Sequence, residues 1–163
     1  MTWYSRQESF MSRNERFSTT NQTSHVFKPH GRIDSEVVGN IFVQEATGPF
    51  NKEIFAAMRS VHASAKEQLP SVGNWYGLFI FRNSALAPQE MLDDLYEYLK
   101  DQKHQNRASR ATAIVLPEVV EAASLMKPLY LRVWRKAGIT CEAFTDEQLA
   151  RAWLDSVLKS PID

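Results

Sequence analysis

The side chains best placed for chemistry lie in the gaps between apolar runs. Asn51 and Glu53 follow one run, Arg82, Asn83 and Ser84 a second, Glu118 a third, and Asp146 a fourth. If each run is a strand of one largely parallel sheet, these gaps meet at its carboxyl edge, where such sheets bind ligands. Amides, a hydroxyl, a guanidinium and carboxylates beside helix N-termini suit a small polar pocket for an anionic group. The same residue types also serve as helix caps and turn formers, and Asn51, Ser84 and Thr145 read equally well that way.

A second set is basic. Lys100, Lys103, His104, Arg107 and Arg110 form one cluster, and Lys127, Arg132, Arg135 and Lys136 another. Both fall at or after helix ends, where positive charge is favoured by roughly 0.3–1 kcal/mol. Lys103, Arg107 and Arg110 make a candidate docking face for an acidic protein or an anionic membrane surface.

No complete catalytic constellation is legible. His25, His30, His62 and His104 show no HExxH or other helical metal-ligand spacing, and each reads as a surface histidine. There is no GxSxG nucleophile elbow. Cys141 is the sole cysteine, which excludes an internal disulfide and a cysteine-based zinc site. It reads as a small buried hydrophobe. No metal and no cofactor is expected.

The 19 basic and 19 acidic residues cancel, which argues against nucleic-acid binding driven by bulk charge. At 163 residues with 44% hydrophobic content, the chain can bury a core without metal or disulfide. No apolar run reaches the roughly 18–20 residues that span a bilayer, and the first residues lack a secretory apolar segment. A cytoplasmic location is the expectation.

The elements that must position these residues follow from pattern. Residues 1–24 are polar with scattered aromatics, and are expected to form a flexible extension with at most a short helix. Residues 25–163 form the domain. Arg32–Val38 and Ile41–Thr47 are β-prone runs joined by Gly39-Asn40, a two-residue hairpin signal. Asn51 then caps a helix whose apolar face is Ile54, Phe55, Met58, Val61, Ala65 and Leu69, closed by Pro70 and Gly73. Residues 75–81 are nearly unbroken apolar and fit a strand buried on both faces. Pro88 fits the first turn of the next helix, whose buried stripe is Met91, Leu92, Leu95, Tyr98 and Leu99. Residues 111–116 form another buried strand. The helix after it uses Val119, Val120, Ala123, Met126, Tyr130, Val133 and Trp134, with a kink or break expected at Pro128. Residues 139–144 form the last strand. Thr145 and Gln148 read as a capping box for a final helix burying Leu149, Ala150, Trp153, Val157 and Leu158. The order is β-β-α-β-α-β-α-β-α: an α/β domain with a five-stranded mixed sheet, its first strand antiparallel.

This order resembles the SpoIIAA-like fold shared by STAS domains and anti-sigma-factor antagonists. It is closest to a bacterial group of SpoIIAA-like proteins. Three stretches carry the likeness: Gly48-Pro49-Phe50-Asn51-Lys52-Glu53 after the hairpin, Trp75 opening the next strand, and Ala150-Arg151-Ala152-Trp153-Leu154 in the last helix. Switching members of that family carry Asp-Ser-Ser-Gly-Leu at the second helix, where a serine is phosphorylated. The matching stretch here is Asn83-Ser84-Ala85-Leu86-Ala87-Pro88, with one hydroxyl and neither acid nor glycine. The resemblance thus implies a scaffold without its phospho-switch.

The function expected on these grounds is a non-enzymatic interaction or regulatory module acting on a protein partner or on a second copy as a homodimer. A small hydrophobic-ligand or lipid carrier of the CRAL/TRIO kind is the alternative, with Phe50, Phe55, Trp75, Phe79 and Phe81 available to line a cavity. An enzyme is the third reading, and it needs Glu53, Ser84 and a histidine within hydrogen-bonding distance.

Overall fold

Alternation and turn chemistry place the hairpin where expected. The computed structural model describes residues 15–21, 30–70 and 74–160. The expected features before residue 15, His25 and the helix stop at Gly73 lie outside these. Strands β2 (Arg32–Val38) and β3 (Ile41–Thr47) pair antiparallel. Gly39, at φ 62°, supplies the positive φ of the turn. Three parallel strands follow: β4 (Tyr76–Arg82), β5 (Ala111–Val115) and β6 (Thr140–Phe144).

The sheet has six strands rather than five, in the order β1-β2-β3-β4-β5-β6. The added edge strand β1 (Arg16–Ser18) comes from the segment expected to be a loose extension. It pairs antiparallel with β2 and satisfies backbone groups that an open edge would leave to solvent. Phe17, like Leu69 and Trp75, packs against the buried cluster of Val37, Phe42 and Ala65. Thr19, in the 3-10 turn that follows, is buried and its Oγ1 accepts from the Ile33 N–H at 3.0 Å. One aromatic and one hydroxyl are enough to dock a polar stretch.

Four helices complete the fold: α1 (Glu53–Lys66), α2 (Gln89–His104), α3 (Ala123–Lys136) and α4 (Glu147–Lys159). Strand periodicity sorts them into two layers. Ala46, Phe79, Phe81, Ile114 and Cys141 face the side where α1, α2 and α3 pack. Val43, Leu78, Ile80, Ala113 and Val115 face the other side, against Ala150 and Leu154 of α4. The central strands are therefore buried on both faces, as their unbroken apolar runs require.

Several boundaries shift for local reasons. Pro88 precedes α2 instead of opening it, with extended backbone at ψ 156°. Helix α3 begins four residues later than expected, leaving Val119 94% exposed. It runs through Pro128 without a break, because proline near the start of a helix forfeits a single backbone bond. Asp146, not Thr145, caps α4: its Oδ1 accepts from the N–H groups of Gln148 (2.7 Å) and Leu149 (3.2 Å). Ala150 and Leu154 are inside, and Leu149 (57%) and Leu158 (48%) are exposed.

Candidate functional site

The carboxyl edge of the sheet is a closed hydrogen-bonded seam. The Gly48 N–H donates to the Arg82 carbonyl at 3.3 Å, and the Phe50 N–H to the Leu86 carbonyl at 2.9 Å. Asn83 sits in the left-handed region at φ 62°, and its Nδ2 donates to the Gly48 carbonyl at 2.7 Å. A Cβ at Gly48 would collide with the Ser84 carbonyl oxygen, so glycine allows the two loops to close. Ser84 is fully buried and its Oγ accepts from the Leu86 N–H at 3.2 Å. The Tyr130 hydroxyl seals the next carbonyl, of Ala85, at 2.7 Å.

The expected site residues are placed as follows. Asn51 Oδ1 accepts from the His30 N–H (2.9 Å) and the Ile54 N–H (3.3 Å), bridging chain entry and helix start. Arg82 pairs with Glu45 at 3.6 Å. Glu53 lies half-buried in the first turn of α1. Asn51, Arg82, Asn83 and Ser84 share the edge, and Asp146 caps α4 three strands away from β3, roughly 15 Å across the sheet. His62 lies nine residues beyond Glu53 along α1, about 13 Å of helix rise from this edge. Of the basic face, Arg107 lines the cleft described next, whereas Lys103 packs beneath Gly138 and the Arg110 N–H bonds the Trp75 carbonyl at 2.9 Å.

At the other end of α1 the geometry is different. Helices α1 and α2 diverge around a cleft of about 530 Å³. Helical spacing sets Arg59, Ala63 and Lys66 of α1, with Glu67 at its C-cap, against Tyr98 and Gln102 of α2, and Trp75 and Arg107 complete the lining. A chamber of about 40 Å³ lies beneath, between Gln44, Met58 and His62. It has room for about one or two waters. The groove continues past Arg59 toward an acidic stretch of Asp94, Glu97 and Asp101.

The cleft floor is one connected polar chain. Gln44 reaches His62 Nε2 at 2.5 Å, His62 Nδ1 meets the Tyr98 hydroxyl at 3.1 Å, and Lys66 Nζ donates to that hydroxyl at 2.9 Å. Lys66 Nζ also donates to Gln102 Oε1. With the Gln44 amide donating, His62 Nε2 accepts and Nδ1 carries the proton. Arg59 and Lys66 both lie over the Tyr98 ring, at 5.5 Å and 5.1 Å from its centre, and Lys66 lies 5.9 Å from that of Trp75.

Electrostatics follow from burial. Desolvation, with Lys66 adding to it, lowers His62 to about 3, so the imidazole is neutral at any ordinary pH. Desolvation and then the Arg107 charge lower the Lys66 ammonium to about 8. Desolvation raises the Tyr98 phenol to about 12 and keeps it protonated. Among the described residues, no carboxylate forms an ion pair with Arg59, Lys66 or Arg107.

His62 was expected at the surface and is 7% exposed. It falls four residues after Met58, on the apolar stripe of α1. Gln44 alternates with Phe42 and Ala46 on the inner face of β3. Both signals are in the residue pattern. The pairing of α1 with α2 is not, so Lys66 and Gln102 show no sequence link. The aromatics Phe50, Phe55, Phe79 and Phe81 pack ring against ring in the core. Cys141 is buried, and desolvation raises its thiol above the ordinary range. Among the described residues, no three His, Cys, Asp or Glu side chains converge on a metal position, and no helix is long and apolar enough to cross a membrane.

Comparison with protein-family models, with curated proteins and with solved structures finds no match.

Proposed function

We propose that this domain is a non-enzymatic binding module whose ligand is a small organic anion with a flat or apolar body. The observation that carries the reading is the cleft itself. Arg59, Lys66 and Arg107, which form no ion pair among the described residues, line it against a single acid, Glu67; Trp75 and Tyr98 form its aromatic walls, and its polar floor is already hydrogen-bonded. An anion would relieve repulsion among Arg59, Lys66 and Arg107, and a planar body would stack on the indole. The acidic far end of the groove sets the orientation, with the negative group toward Arg107. The resemblance to SpoIIAA-like domains supports a regulatory role, in which occupancy of the cleft changes the surface offered to a protein partner or a second copy.

Calorimetric titration with indole-3-acetate and with its uncharged amide tests this. The carboxylate should bind more tightly, and Arg107→Gln should weaken it about tenfold with little effect on the amide. Equal affinity for acid and amide would remove the basis for an anion site.

A further inference from the structure

We propose that Lys66 captures a carbonyl: its Nζ, set in the cleft between the Tyr98 hydroxyl and the Gln102 carboxamide, forms an imine with a 2-oxo carboxylate. The inference rests on the anion-binding reading and names its ligand class.

Three features converge on one atom. Lys66 Nζ is at the wall of an accessible cleft and forms no ion pair among the described residues. It is held by neutral groups, the Tyr98 hydroxyl at 2.9 Å and Gln102 Oε1, neither of which stabilises an ammonium as a carboxylate would. Arg107 lines the same cleft and offers a carboxylate partner next to the amine. A carboxylate held by Arg107 would bring the adjacent carbonyl into the cleft that Lys66 Nζ lines.

The chemistry balances without a co-reactant. The lone pair of the neutral amine forms the C–N bond as the carbonyl π pair moves to oxygen. That oxygen takes a proton lost from nitrogen, giving a carbinolamine. The C–O bond then breaks, the oxygen takes the second nitrogen proton, and water leaves with an imine in place. The Tyr98 hydroxyl is placed to pass protons between nitrogen and oxygen, donating one and recovering one. Neutral His62, 3.1 Å behind it, keeps that hydroxyl oriented. The lowered Lys66 supports the proposal, since about half of its amine is free near pH 8, when an ordinary lysine at about 10.4 is almost wholly protonated. Among the described residues, Arg59 and His62 from α1, Glu67 at its C-cap, Tyr98 and Asp101 from α2, and Arg107 are the titratable and charged groups around it.

The full chain is incubated with pyruvate and cyanoborohydride at pH 8, and the reduced adducts are mapped by peptide mass spectrometry. Lys66 should be modified at least about tenfold faster than exposed Lys52 or Lys159. Even labelling of surface lysines, or no adduct at Lys66, overturns the proposal. Lactate, which lacks the carbonyl, separates the two readings by calorimetry. Lactate binding without an adduct overturns the imine and leaves the anion site standing; loss of both overturns both. Lys66→Arg, which keeps the positive charge but offers no amine that can form an imine, should abolish the adduct. Removing the Arg107 charge lets the Lys66 ammonium rise, so Arg107→Gln should slow trapping of both carbonyls, but should slow pyruvate about tenfold more than propanal, which has no carboxylate to lose. Equal slowing of both would overturn the assignment to 2-oxo carboxylates.

Discussion

His62 is held uncharged in the folded chain, and that makes it a source of acid sensitivity. Its folded value near 3 lies below the unfolded value near 6.5. Between these limits the unfolded chain binds a proton that the folded chain does not. Stability from this residue is complete above about pH 6.5 and is lost as pH falls toward 3, at about 1.4 kcal/mol per pH unit. Denaturant titrations at several pH values should show this slope in the native sequence and a shallower one in His62→Gln. Identical slopes would mean that other groups carry the acid response. The stripe position of His62 was legible at this scale. Its neutrality was not, because that depends on Gln44 and Tyr98 arriving from other elements. The edge residues show the opposite case. Asn51 and Asp146 read as either ligand groups or caps, and in the fold both accept backbone N–H groups at helix starts.

Helix α4 buries a narrower face than its apolar residues suggest. It is the sole helix on its side of the sheet among the described residues, and it packs on β4, β5 and β6. Leu154 is 2% exposed and Leu149 57% exposed. Truncation of Leu154 to alanine should therefore cost about 2–4 kcal/mol, whereas Leu149→Ala should cost less than about 0.5 kcal/mol. Thermal or denaturant unfolding of the two variants reads the difference, and comparable losses would contradict the packing of α4. The existence, order and type of the nine expected elements were legible because each has a strong period and a clear punctuation. Their ends were harder to read. Thr145 and Asp146 are both good caps, and the choice between them depends on where the helix axis meets the sheet.

For the molecule as a whole, the hairpin edge is the weak side. Strand β1 is three residues long and is held by one strand ladder, Phe17 and Thr19. Strands β4 and β5 are buried on both faces. Amide exchange should thus be slowest in β4 and β5 and fastest in β1, and Phe17→Ala should release β1 and the edge of β2 while leaving β5 protected. Simultaneous loss of protection in β2 and β5 would show that β1 belongs to the central cooperative unit.

Local chemistry settles the alternating α/β order, the hairpin at Gly39-Asn40 and the two-sided burial of the central strands. These need only periods, turn residues and proline, all carried within a few residues of chain. The sixth strand, the closed carboxyl edge and the cationic cleft need partners far apart in sequence. Lys66 and Gln102 are 36 residues apart and touch because α1 and α2 lie side by side on one face of the sheet. Burial in the same region holds His62 neutral and weakens the Lys66 ammonium, and the fold gathers Arg59, Lys66 and Arg107 around one space. Desolvation depends on everything that surrounds a group, so no local pattern of residues encodes it.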